Sequence, residues 1–119
     1  MSFLSKIFTT IPSVSATEAR ELVDAGAAMI DVRTKAEWNA GHVALAKHIP
    51  LPELSSSLNK VPQGKKVVVV CRSGNRSRGA TSQLIAAGID AVNLSGGMHA
   101  WTRSGERLVD RNGRAGVVA

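Results

Sequence analysis

KVVVVCRSGNRSRGA, Lys66 to Ala80, is the stretch whose reading decides the fold. Four consecutive valines show no polar alternation, so a strand made of them is covered on both faces, as in the centre of a parallel sheet. The run ends at Cys71, the single cysteine of the chain. The next residues, Arg72-Ser73-Gly74-Asn75-Arg76-Ser77, contain no large apolar side chain. A helix is predicted from about Asn75 or Arg76 to Ala87, with Gly88 just past its end.

The same punctuation recurs on both sides of this unit. Upstream, Ser15-Ala16-Thr17-Glu18 has the capping-box pattern, Ala19, Leu22 and Val23 give one apolar helix face, and Gly26 stops it. Ala28 to Arg33 reads as a short buried strand ending in charge, and Thr34 caps a short helix over Lys35 to Ala40. Ala46 to Ile49 reads as a second short strand, and Leu51 to Leu58 as a helix with Pro52 and Glu53 in its first turn. Downstream come a strand over Ala91 to Leu94, a turn at Gly96-Gly97, and a helix carrying Met98 and Trp101 that ends at Gly105. Strands alternating with helices imply an α/β fold, with a mainly parallel central sheet and helices on both faces.

Three segments follow. Residues 15–105 form the domain, residues 1–14 a lead-in, and residues 106–119 a basic tail expected to be partly mobile. In the lead-in, Phe3, Leu4, Ile7, Phe8 and Ile11 fall at helical spacing, as in an amphipathic segment lying on the domain. Thr9, Thr10 and Pro12 break its apolar run, which makes a poor export signal.

A chain of 119 residues suits one hydrophobic core. Its net charge of +6 favours anionic partners. Nucleic acid is not expected, because no Lys/Arg run is interleaved with aromatics and there is no tyrosine to stack bases. No run approaches the ~20 apolar residues of a membrane span, so no integral membrane segment is expected. One cysteine argues against a disulfide framework and for a reducing compartment, hence a cytoplasmic protein. With His42, His48 and His99 scattered, no Cys/His pair has zinc-site spacing, and neither metal nor cofactor is expected.

The chemistry concentrates at Cys71. In a parallel α/β sheet, ligands bind beyond the carboxyl ends of the strands, where this residue falls. Gly74 and Asn75 tolerate left-handed backbone angles, so successive N–H groups can turn inward as an anion nest, and the following helix adds its positive end. A thiol there, beside arginines, loses its proton more readily than the ordinary value of about 8.5 allows, and the thiolate is the nucleophile. The alternative is an inert core cysteine. It leaves Arg72, Arg76, Arg78 and Gly74 without purpose.

Five pieces of the chain carry a resemblance: Asp31-Val32-Arg33, Glu37-Trp38-Asn39-Ala40-Gly41-His42, His48-Ile49-Pro50, the loop from Cys71 to Ser77, and Gly96-Gly97-Met98 with Trp101. In this order and spacing, over Ser15 to Gly105, they resemble the single-domain rhodaneses, the thiosulfate sulfurtransferase family. The stretch Ala44-Leu45-Ala46-Lys47-His48 departs from the family's usual P-G-A and N-I-P pattern, which touches local geometry more than chemistry.

The resemblance implies a transferase that moves a sulfane sulfur from thiosulfate or a similar donor to cyanide or a thiol acceptor through a Cys71 persulfide. It implies that the backbone N–H groups of Arg72, Ser73, Gly74, Asn75, Arg76 and Ser77 hold the anionic sulfur, and that Arg72 and Arg76 orient the donor. A protein can be the sulfur acceptor in the same chemistry, which makes a persulfide carrier or binding module the alternative. A phosphatase or arsenate reductase of this fold is a further rival. Such enzymes place an arginine six positions after the cysteine, where this chain has Ser77, and their loop is one residue longer.

Asp31 and Arg33 are expected to form a structural ion pair, and His42 to be a hydrogen-bonded structural residue. Trp38, Met98 and Trp101 are expected in the core. Ser73, Asn75 and Ser77 suit turn and cap positions, with Ser77 also able to donate to a bound anion.

Overall fold

The computed structural model describes residues 11–119. In chain order it runs β1 (Ser13–Val14), α1 (Ala16–Asp24), β2 (Ala28–Asp31), α2 (Lys35–Ala40), β3 (Lys47–His48), two 3-10 turns (Leu51–Ser56 and Leu58–Lys60), β4 (Val67–Val70), α3 (Asn75–Ala86), β5 (Ala91–Leu94) and α4 (Gly97–Arg103). Local chemistry accounts for the helix starts. The Ser15 side chain accepts from the Glu18 N–H while the Glu18 carboxylate accepts from the Ser15 N–H, and Thr34 and Glu37 make the same reciprocal pair.

The five strands are all parallel and lie in the order β1-β5-β4-β2-β3. The valine run is the central strand, between β2 and β5. Every residue of β4 and β5 is buried, which explains the absence of alternation. The strand period of two divides the core into layers. Val68, Val70, Met29, Val92 and Leu94 pack against α1 and α4 through Ala19, Val23, Met98 and Trp101. Val67, Val69, Cys71, Ile30 and Ala91 pack on the opposite face against α3, through Ala80 and Leu84, and against Leu54 of the first 3-10 turn. Cys71 thus inherits the α3 face from its parity with Val67 and Val69.

The structure departs from the sequence reading at the end of the lead-in, in the segment from Leu51 and in the stretch after Gly105, and it makes β2 and β3 shorter than the ranges read from the sequence. The end of the lead-in belongs to the sheet: Ser13 and Val14 pair with Asn93 and Leu94 of β5, and the Pro12 carbonyl accepts from the Asn93 N–H at 2.8 Å. A two-residue edge strand is too short to leave a periodicity signal. The helical reading of residues before Ile11 lies outside the described residues. The segment from Leu51 forms 3-10 turns rather than an α-helix. Pro52 supplies no N–H, no side chain caps the start, and Ser55-Ser56-Ser57 are weak helix formers.

The stretch after Gly105, expected to be partly mobile, is tied to the domain by backbone pairing. Val109 and His42 exchange N–H and C=O in both directions at 2.8 Å, and the Val117 N–H reaches the Ala40 carbonyl at 2.9 Å. These bonds need only the backbone, so the polar, glycine-bearing side chains of this stretch gave no sign of them. Among the described residues, no helix is long and apolar enough to cross a membrane.

Candidate active site

Cys71 leaves the end of β4 pointing under the first turn of α3 and is 1% exposed. Gly74 is the residue before α3, with φ of 105°, a left-handed conformation open to glycine. It turns the chain so sharply that its own N–H comes back to Cys71 Sγ at 3.1 Å. The helix start has no side-chain cap, so its N–H end faces the sulfur instead of a capping oxygen. Ser77, fully buried one turn into α3, places its hydroxyl 3.3 Å from the same Sγ.

Burial is the largest single influence on the thiol and pushes its pKa up. The Ser77 hydroxyl and the backbone N–H groups of Ser77, Gly74 and Ser73 oppose it and together win, so the Cys71 pKa falls below that of a free thiol. Donors converge here on an atom that gains charge, in a setting with little water to screen them.

The loop is clamped from behind by α4. The Met98 N–H donates to the Cys71 carbonyl at 2.9 Å, and the His99 N–H to the Arg72 carbonyl at 3.2 Å. This contact requires Gly97, which has φ of 58° and sits so close that a Cβ there would run into the carbonyl oxygens of Cys71 and Arg72. The sequence reading saw in Gly96-Gly97 a turn. Its second role is to bring α4 against the backbone of the cysteine loop.

The loop residues divide into two groups. Cys71, Gly74 and Ser77 are buried and meet at the sulfur, and the Ser73 N–H points the same way. Arg72, Ser73 and Asn75 have exposed side chains. The Arg72 Nε donates to the Ala119 carbonyl at 2.7 Å. Arg76 is half-buried and spends its guanidinium on Glu37, with Nη1–Oε1 at 2.7 Å and Nη2–Oε2 at 2.8 Å. That fork, aided by the Thr34 N–H and hydroxyl, holds the Glu37 carboxyl down to about 2 despite partial burial. Arg76 still feels the charge of Cys71. The two arginines therefore sit near the loop with other partners in hand, and Glu37 is the residue that sequence reasoning left without a role.

Asn93 was also missed. It is 3% exposed, stands in an otherwise apolar strand, and pairs in register with Val69. Its Oδ1 accepts from the Ser77 hydroxyl and its Nδ2 donates to the Gly74 carbonyl at 3.3 Å. The signal was present: one amide within Ala-Val-Asn-Leu, at the parity that faces α3.

The neighbouring residues are structural. Arg33 and Asp31 are both fully buried and joined by a forked pair, with Nη2–Oδ2 at 2.7 Å, and Arg33 Nη2 also donates to the Gly41 carbonyl at 2.7 Å. His42 Nδ1 donates to the Trp38 carbonyl at 2.7 Å, and His48 Nε2 to the Arg33 carbonyl at 2.7 Å. Trp38 is not a core residue: half-buried, it stacks on the rings of His42 and His48, with centroids at 3.6 and 4.8 Å. Beside Arg76 lies a cleft of about 420 Å³ whose lining includes Val32, Lys35, Leu51, Pro52 and Glu53.

A small parallel α/β domain with a cysteine-centred N–H cradle at the end of its middle strand is a defined class. The chain belongs to the rhodanese-like domain family, whose model matches residues 15–104. It is 36% identical over 106 residues to thiosulfate sulfurtransferase 16, chloroplastic, of Arabidopsis thaliana, covering 78% of this chain and 88% of that one. It is 38% identical over 96 residues to the probable adenylyltransferase/sulfurtransferase MoeZ of Mycobacterium tuberculosis, which it matches over 76% of its own length and 24% of the relative's. The chain thus spans about a quarter of that larger protein. Among solved structures, the rhodanese-related protein of Thermoplasma volcanium superposes with a TM-score of 0.77 at 32% identity, covering 82% of this chain and 97% of that one.

Proposed function

We propose that this protein is a sulfurtransferase that carries sulfane sulfur on Cys71, taking it from thiosulfate or a similar anionic donor and giving it to cyanide or a thiol. The single observation that carries the reading is the convergence of Ser77 Oγ and the Gly74 N–H on Cys71 Sγ, at 3.3 and 3.1 Å, at an uncapped helix start. The names of the relatives, two of them sulfurtransferases, support it.

In the first half of the cycle, the Cys71 thiolate attacks the outer sulfur of thiosulfate. A new bond forms between Sγ and that sulfur, the bond from that sulfur to the sulfonate breaks, and sulfite leaves with the electron pair. The negative charge now sits on the outer sulfur of the persulfide. The N–H groups of Arg72 to Ser77 suit that charge as an anion nest. In the second half, the acceptor attacks the outer sulfur, the sulfur–sulfur bond breaks, and its electron pair returns to Sγ. With cyanide the product is thiocyanate. Stabilising Sγ as a thiolate helps both halves, first by populating the nucleophile and then by easing its departure. Arg72 and Arg76 act as the outer cations that draw in the donor, and Arg76 must share its guanidinium between Glu37 and an incoming oxyanion.

Ser77 separates this reading from phosphoryl chemistry. Its hydroxyl lies against the sulfur, at the position where the phosphatase pattern needs a guanidinium to grip three oxygens. The test is intact-protein mass after incubation with thiosulfate. The expected result is a gain of one sulfur atom, removed by cyanide and absent in Cys71→Ala. No gain with thiosulfate, mercaptopyruvate or a persulfide donor overturns the reading, as does Cys71-dependent release of phosphate from an aryl phosphate.

A further inference from the structure

The orientation of the Asn93 amide follows from chemistry. The Gly74 carbonyl can only accept, so the amide atom 3.3 Å from it is Nδ2, and Oδ1 faces Ser77 Oγ. Oδ1 can also only accept, so in this arrangement the Ser77 proton points at Asn93. Cys71 Sγ lies 3.3 Å from the same hydroxyl oxygen. A thiol satisfies that oxygen by donating its own S–H to it. A thiolate has no proton to give and needs the one Ser77 carries. One hydroxyl proton thus has two acceptors, and all three side chains are at most 3% exposed, which leaves little room for water to supply another donor.

We infer that the Ser77 hydroxyl is a two-position switch between Asn93 Oδ1 and Cys71 Sγ, and that Asn93 is the positioning residue that sets its balance. When Sγ is a thiolate the proton turns to the sulfur. When Sγ is a thiol the proton turns back to Asn93. The role in turnover rests on the persulfide reading above: in the sulfur-loaded state Sγ is uncharged, the charge lies on the outer sulfur, and the proton again belongs to Asn93. Asn93 therefore favours the thiol and the loaded state over the bare thiolate, and Ser77 gives the departing Sγ its hydrogen bond at the moment charge returns. Asn93 also ties down the Gly74 carbonyl, so its two bonds affect the sulfur in opposite directions. The charged groups near the cysteine loop include Arg72, next to Cys71 in the chain, and Arg76 with its partner Glu37, while Asp31, paired with Arg33 at the end of β2, acts on Arg76. None of them is changed in the test.

The chain contains one cysteine and no tyrosine, so ultraviolet absorbance of the thiolate titrates Cys71 without tyrosinate background. The titration, with iodoacetamide alkylation at a fixed pH below the midpoint, is run on the full chain, Asn93→Leu, Ser77→Ala and the double variant. With Ser77 present, Asn93→Leu is expected to move the midpoint to lower pH and to quicken alkylation roughly 3- to 10-fold. With Ser77→Ala in place the same change is expected to alter alkylation by less than about twofold, since only the Gly74 bond is then lost. An equal change in both backgrounds, or a move to higher pH with Ser77 present, overturns the switch. If Asn93→Leu does not fold, judged by circular dichroism, Asn93→Ala gives the same two comparisons. Failure is distinguishable from failure of the sulfur-transfer reading. A thiosulfate mass adduct without a Ser77-dependent shift sinks the switch alone, and a Ser77-dependent shift without an adduct sinks the turnover role alone.

Discussion

β2 and β4 lie side by side, and each ends in a buried polar group, yet the two ends do opposite things. At the end of β2, Asp31 and Arg33 cancel one another: Nε, Nη2 and the Arg33 N–H bond the Asp31 carboxylate, Gly41 takes a further bond, and of the three guanidinium nitrogens of Arg33 Nη1 alone finds no partner among the described residues. At the end of β4, N–H and O–H donors converge on one sulfur with no carboxylate set against them, and of these donors the Ser77 hydroxyl has a second acceptor in Asn93 Oδ1. The first arrangement is closed and stores no reactivity. The second leaves its donors waiting for charge, which is what a nucleophile and a leaving group require. Depth of burial does not separate the ends, since Asp31, Arg33 and Cys71 are all at most 1% exposed.

Substitutions at the two ends should therefore fail in different ways. The largest effect falls on Cys71→Ser, which is expected to abolish thiocyanate formation from thiosulfate and cyanide while leaving thermal unfolding nearly unchanged. Persisting turnover breaks the assignment of chemistry to β4. Next is Arg33→Ala, which strands the Asp31 carboxylate in the core and is expected to cost about 3–5 kcal/mol in denaturant unfolding. The activity per folded molecule should stay within about threefold of the parent, as a residue that touches no substrate allows. A variant of normal stability but lost activity reverses the roles of the two ends.

Ser77→Ala is the third in size. It removes one of the bonds that lower the Cys71 pKa, so the alkylation midpoint should move to higher pH and the rate at neutral pH should drop roughly 3- to 10-fold. The sign also bears on stability. Because the folded thiol pKa is lowered, its contribution is full above the ordinary thiol value and is lost as the pH falls through the folded midpoint. Unfolding curves of Ser77→Ala should therefore show less gain in stability on going to alkaline pH than those of the parent.

The smallest effect is that of Glu37→Gln. The pair is partly solvated, so no more than about 1 kcal/mol is expected from its loss. Glu37 is held down to about 2, hence its contribution is full above the usual carboxylate range and fades as the pH falls toward that value. Freed of its partner, Arg76 should bind donor more readily, and KM for thiosulfate should fall with little change in kcat. A rise in KM would show that Glu37 is needed to aim the arginine.

What could be read from the chain was what local chemistry encodes. The capping boxes at Ser15 and Thr34 use residues three apart, the valine run reports its own burial, and the loop after Cys71 displays its cations and glycine in one stretch. What stayed hidden depends on partners distant in sequence. Asn93 meets Ser77 only because β5 lies beside β4, and Glu37 meets Arg76 across 39 positions. Gly97 is needed because α4 docks on the Cys71 carbonyl, a contact made by backbone alone. The arginines that charge counting assigns to a substrate are partly engaged within the chain, and that too is a tertiary fact. β1 escaped for the plainest reason: two residues carry no periodicity.

The central claim is that the fold makes Cys71 a better thiolate than an unstructured chain would. Thiolate absorbance of the single cysteine, followed against pH in the native chain and again in the chain unfolded by urea, tests it directly. The account predicts a midpoint at lower pH in the folded protein, with the shift reduced in Ser77→Ala. A folded midpoint equal to or above the unfolded one would mean that burial, which pushes the thiol up, outweighs the converging donors, and would contradict the account.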